Sequence, residues 1–125
     1  MIRNMLFVAL GGAIGSVARY LVSKMVNESF SSCFPLATML VNIAGCVLIG
    51  IFLSLSERFS LGEGSRLLLT VGLCGGFTTF STFMNENLLL LRVGSIGQLA
   101  LYAGGSVALG LLGVFAGRYL CSSII

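Results

Sequence analysis

One stretch, Gly72-Leu-Cys-Gly-Gly-Phe-Thr-Thr-Phe-Ser-Thr-Phe-Met-Asn-Glu-Asn87, lies inside a long apolar segment and mixes glycines, hydroxyls, rings and a carboxylate. Packing alone does not require that mixture. In hydrocarbon every backbone N–H and C=O must be satisfied within the protein, so spanning segments stay helical. Gly75-Gly76 followed by Thr78-Thr79 predicts a helix that breaks at mid-span. A break there is tolerated only where the freed carbonyls face protein, an ion or a water-filled path. The hydroxyls of Thr79, Ser81 and Thr82 and the rings of Phe80 and Phe83 follow directly. The stretch reads as an ion site.

Composition agrees with a membrane setting. The chain has 125 residues, 57% hydrophobic and 9% charged, where a soluble domain carries about 25% charged residues. A net charge of +3 spread along the chain offers no basic face for nucleic acid. Cys33, Cys46, Cys74 and Cys121 show no CxxC spacing, and the chain has no His. They read as small apolar packing residues rather than metal ligands or a redox pair. Residues 1–22 offer Arg3 and an apolar run, but no small-residue cleavage motif follows and Arg19 interrupts the end. A retained first span is expected, not a signal peptide.

A spanning helix needs about 20 apolar residues. Residues 4–25, 36–55, 64–91 and 95–121 meet that length, the third with its break at 75–79. Val26–Pro35, Ser56–Glu63 and a tight turn at Arg92–Gly94 connect them. The fold class is therefore an all-α membrane protein, a single domain of four transmembrane helices.

Gly11 and Gly15 form a G-x-x-x-G face on the first segment, which predicts close helix packing. Arg19 either snorkels to the interface or lines an aqueous vestibule that concentrates anions. Asn42 is the strongly polar residue of the second segment. It serves as interhelical glue, worth about 0.6–2 kcal/mol, or as an amide donor to an anion. Phe80 and Phe83, three apart, share a helix face, and a ring edge carries the partial positive charge that a small anion can meet. Glu86 is an acid inside a span, and such a residue is functional or paired. On the fourth segment Tyr102, Ser106 and Gly110 repeat every fourth residue, so two hydroxyls and a gap lie along one stripe as a candidate polar track.

Flanking cations are nearly balanced. Arg3, Arg58, Arg66 and Arg118 fall on one side, and Arg19, Lys24 and Arg92 on the other. Lys/Arg bias normally sets orientation, so this chain is expected to insert both ways up. Opposed copies would then pair about a two-fold axis in the membrane plane.

The chain closely resembles the Fluc, or CrcB, family of fluoride channels. The carrying motifs are Gly12-x-x-Gly15-x-x-x-Arg19-Tyr20, Val41-Asn42-x-x-Gly45 and Gly72-x-x-Gly75-Gly76-Phe77-Thr78-Thr79-Phe80-Ser81-Thr82-Phe83. The resemblance implies passive, fluoride-specific export across the cell membrane by an antiparallel, dual-topology homodimer. It implies a structural, non-transported sodium ion (Na+) at the dimer centre, held by backbone oxygens of Gly75 and Thr78. It also implies fluoride-pore roles for Asn42, Phe80, Phe83, Ser81, Thr82, Tyr102 and Ser106, with Arg19 near a vestibule. Gly110 departs from the family pattern, where a third hydroxyl is expected.

The competing readings are weaker. A dual-topology small multidrug/proton antiporter needs a titratable carboxylate within a span, yet the first segment has none and Glu86 lies near the end of the third. A structural or assembly subunit would carry no flux of its own. An enzyme is not expected, because no His, nucleophile–base pair or metal cluster is present. Dual topology makes a labelling expectation: Cys33 and Cys121, on opposite sides of any one subunit, each react about half with a one-sided impermeant maleimide. Cys46 and Cys74, within the spans, stay largely unlabelled.

Overall fold

The structure, a computed structural model, describes residues 1–30 and 34–124. The loop position of Cys33 lies outside the described residues. Four helical stretches are long and apolar enough to cross a membrane: Ile2–Ser29, Leu36–Phe59, Glu63–Arg92 and Ile96–Ser123. The first is helix α1 (Ile2–Ser29) and the second α2 (Leu36–Phe59), each continuing past its apolar stretch into polar residues. Pro35 stands just before α2, where its missing N–H has no intrahelical role.

The third stretch is built from pieces. Helix α3 (Glu63–Leu67) runs into a π-helical segment, Leu68–Cys74, and then into the short α4 (Gly75–Phe77). Thr78 is extended at φ −86° and ψ 161°, and α5 (Ser81–Arg92) resumes beyond it. The sequence predicts one regular half-helix through Gly75 and gives no sign of the wider π turns. Such turns often mark functional sites. The last helix, α6 (Ile96–Ile124), follows a turn in which Gly94 takes φ +78°, a conformation that a Cβ would oppose.

Glycine seams set which helices meet. A methyl on Gly11 would strike the Leu68 carbonyl, and one on Gly15 the Leu73 carbonyl. From the opposite side, a Cβ on Gly72 would lie 2.8 Å from the Val8 carbonyl and one on Gly76 2.7 Å from that of Gly12. The G-x-x-x-G face of α1 thus packs backbone to backbone on a matching face of the third span. On the other flank a methyl on Gly117 would meet the Val47 carbonyl, and one on Gly50 that of Val114. These contacts bring α2 and α6 equally close. Overpacking such a seam costs about 1–3 kcal/mol.

The small buried cluster is Phe83, Leu90 and Tyr102, flanked by Phe34, Met39, Leu99 and Ala103. It closes the end of the bundle where α5 turns into α6. At the opposite end Arg118 and Glu57 form an ion pair at 3.1 Å, exposed on both sides, and such pairs contribute about 0–1 kcal/mol. Cys121 corrects one sequence expectation. It is only 4% exposed, because α6 remains helical through it and turns its thiol inward. It is not a usable surface label.

Candidate functional site

The site is built where the third span leaves helical geometry. Between α4 and α5 the backbone cannot complete its own ladder, so other spans answer it. Asn42 on α2 does this with both ends of its amide. Its Nδ2 donates to the Thr79 carbonyl at 3.0 Å, and its Oδ1 accepts from the Thr79 N–H at 2.8 Å. Of the two roles open to Asn42 in the sequence, the interhelical one is present. Its second N–H has no acceptor among the described residues.

Arg19 on α1 reaches the third span. Its Nε donates to the Gly76 carbonyl at 3.1 Å, which ties α1 to the end of α4. A guanidinium there also opposes the negative end of the half-helix. Thr78 turns its hydroxyl and its N–H onto the Cys74 carbonyl, at 2.9 and 3.0 Å. Thr79 accepts the Thr82 N–H through its hydroxyl at 3.3 Å and so covers the start of α5. Among the described residues no donor reaches the carbonyls of Gly75 and Thr78. Gly75 is exposed on the surface of the single chain, and Thr78 is half-buried.

An open groove of about 290 Å³ adjoins this break. Asn42, Cys46, Thr78, Thr79, Phe80, Phe83, Ser106 and Val107 line it. Phe80 and Phe83 stand together with ring centroids 6.2 Å apart. Phe83 is buried, whereas Phe80 is 72% exposed at the groove mouth. The hydroxyl oxygen of Ser106 is buried there and has no hydrogen-bond partner among the described residues.

Of the residues singled out in the sequence, Asn42, Thr78, Thr79, Phe80, Phe83 and Ser106 meet in this groove. Tyr102 does not line it. Tyr102 is fully buried, its ring tilted against Phe83 at 4.9 Å and edge-on to Phe34 at 5.5 Å. Its hydroxyl donates to Glu86 Oε1 at 3.1 Å, which gives that intramembrane acid its partner. Ser81 and Thr82 lie on the exposed side of the first turn of α5 and are not groove residues. Cys46 and Val107 line the groove without having been singled out. A usable signal existed for Cys46: it lies four residues after Asn42, hence on the same helix face.

This is a four-span helical protein with a polar interruption, held by neighbouring spans beside an apolar-walled groove, the architecture of a small-ion pathway. The model of the family described as "CrcB-like protein, Camphor Resistance (CrcB)" matches residues 6–118, and the chain belongs to that family. The chain is also similar to proteins named "Fluoride-specific ion channel FluC". It is 50% identical to one from Bacteroides fragilis over 121 residues, covering 94% of this chain and 95% of the relative. It is 48% identical to one from Phocaeicola vulgatus over 118 residues, covering 94% and 98%. A relative from Thermus thermophilus is 45% identical over 124 residues, covering 99% and 98%. The chain is a multi-pass membrane protein.

The clasp has a measurable consequence. Asn42→Ala orphans both the N–H and the C=O of Thr79, at about 1–3 kcal/mol for each buried group. Asn42→Asp keeps the acceptor but sets a second carboxylate oxygen against the Thr79 carbonyl. Both variants are expected to melt at clearly lower temperature than the parent in detergent. An unchanged melting temperature for Asn42→Ala would show that the clasp contributes nothing.

Proposed function

We propose that the protein is a fluoride-specific channel that lets fluoride leave the cell passively across the cell membrane, assembled as an antiparallel, dual-topology homodimer. The observation that carries this reading is the convergence of Asn42, Phe80, Phe83 and Ser106 on one groove beside the break. The named function of the relatives supports it.

Fluoride is small and strongly hydrated, so a pore must replace its water with donors. It must also release the ion, and conduction fails where binding is too strong. A neutral amide, a hydroxyl and ring edges meet both demands. Among the described residues that line the groove there is no carboxylate to repel the ion and no ammonium or guanidinium to trap it. On this reading Tyr102 steadies the Phe83 ring rather than lining the path. Ser81 and Thr82 face outward from the single chain, as does Phe80, and a second copy would cover that face.

The donor set also suits sodium at the dimer centre. The carbonyls of Gly75 and Thr78 are hard neutral oxygens that no donor reaches among the described residues, and alkali cations take such ligands as K+ does from filter carbonyls. Two antiparallel chains would each contribute this pair. A cation held there would raise the positive potential of the interior and join the subunits.

Efflux from reconstituted liposomes, read with a fluoride electrode against a chloride control, tests the function. The parent protein is expected to release fluoride and not chloride. Phe80→Ile and Phe83→Ile are each expected to slow release by about tenfold or more while the dimer remains folded, and parent rates in both would sink the role of the rings.

Prolonged exchange of sodium for lithium or potassium is expected to lower the flux, and indifference to the cation would count against the sodium site. For topology, Glu28→Cys and Ser123→Cys, both exposed and at opposite ends of the bundle, replace the buried Cys121. In a background without Cys33 and Cys121, each is expected to label about half with a one-sided impermeant maleimide. Full labelling of one and none of the other means a single orientation.

A further inference from the structure

The groove contains a polar hydrogen that the proposed path has not yet used. Cys46 lies one turn beyond Asn42 on α2, and Gly110 lies one turn beyond Ser106 on α6, so the two helices present facing rows with matched spacing. At the first level both helices offer a polar group, Asn42 and Ser106. At the second, α6 offers only Gly110, and the thiol of Cys46 is turned toward it. A Cβ built on Gly110 would lie 3.2 Å from Cys46 Sγ, and one on Gly113 would lie 3.4 Å from Cys46 Cβ. The thiol therefore occupies the space that a side chain at position 110 would need. It is a free thiol, and the buried Ser106 hydroxyl in the same groove has no hydrogen-bond partner among the described residues.

We propose that Cys46 is a lining residue of the conduction path, its S–H supplying the hydrogen-bond donor at the level of Gly110, next in line after Asn42 and Ser106. This rests on the fluoride-channel reading of the groove. The chemistry suits a transit step. A thiol has an ordinary pKa of about 8.5 and stays protonated near neutral pH, so it adds no charge to repel an anion. It is a weak donor, so it hands the ion on rather than holding it. Its polarizable sulfur tolerates an apolar wall, such as that formed by Val107.

The alternative is that Cys46 merely fills space between α2 and α6. Two substitutions separate these roles. Cys46→Val removes the donor and keeps an apolar side chain with one added methyl branch, whereas Cys46→Ser keeps a donor. Liposome efflux of Cys46→Ser is expected to match or exceed the parent, and that of Cys46→Val to fall about five- to tenfold with an unchanged melting temperature. Combining Cys46→Ala with Gly110→Ser moves a donor across the cavity onto α6, and efflux is expected to return to within about threefold of the parent. Parent-like efflux from Cys46→Val overturns the proposal, as does a fall in both Cys46→Ser and Cys46→Val that tracks a lower melting temperature.

A second readout does not depend on flux. In the Cys33→Ser/Cys74→Ser/Cys121→Ser protein, a small water-soluble methanethiosulfonate reagent is expected to modify Cys46, seen by intact mass. The Cys46 sulfur joins the reagent's sulfenyl sulfur, sulfinate leaves and the thiol proton goes to water. A protein retaining Cys74 alone, whose thiol is 3% exposed, is expected to stay unmodified. An unreactive Cys46 in a protein that conducts fluoride overturns this inference and leaves the channel reading standing. Absence of fluoride efflux from the parent protein overturns the channel reading, and the role of Cys46 with it.

Discussion

The amide of Asn42 closing on both the N–H and the C=O of Thr79 is the interaction on which the rest of the site depends. Between Phe77 and Ser81 the third span leaves its regular helical ladder. Lipid offers no substitute, so several of the freed peptide groups are answered from neighbouring parts of the protein. Asn42 answers Thr79 from α2, Arg19 answers Gly76 from α1, and Thr78 folds back on Cys74. The interruption is therefore held from two neighbouring spans at once. A fixed interruption can present an oxygen or a ring in one place, which a fraying helix end cannot do.

That arrangement needs the spans to stand closer than ordinary side chains allow. Gly11 and Gly15 on α1 receive the backbone of the π-helical segment and of α4, and Gly117 and Gly50 let α2 and α6 touch. In a membrane the driving force for such association is packing itself, since lipid tails are as apolar as leucine. Close approach has a second effect. It brings the Arg19 side chain within reach of a carbonyl in the third span.

The charged residues inside the bundle are thus occupied. Glu86 accepts the Tyr102 hydroxyl, and Arg19 binds backbone. Among the described residues the polar side chains lining the groove are neutral: the Asn42 amide, the Thr78, Thr79 and Ser106 hydroxyls and the Cys46 thiol. A row of neutral donors between apolar walls can take a small anion from water without burying it in a deep well, the balance that conduction demands. The same neutrality makes the groove a poor place for a proton-exchanging carboxylate, the part an antiporter would need.

The sequence by itself determined the four apolar spans, the membrane setting and the stretch that carries the polar chemistry, because hydrocarbon constrains each span locally and composition records that constraint. The glycine spacing on α1 and the grouping of Asn42, Phe80, Phe83 and Ser106 as candidate site residues were also legible, through periodicity and through resemblance. Other features were decided only by tertiary structure. Nothing local sets Tyr102 against Glu86 rather than in the groove, or Ser81 and Thr82 on the outer face of α5, or Arg19 onto Gly76. The π turns at Leu68–Cys74 arise where α1 packs against that backbone, and the Cys46 thiol lies where a side chain on Gly110 would crowd it. Each of these follows from how two helices far apart in the chain meet, and a helix face reveals its neighbour only once the packing angle and register are fixed.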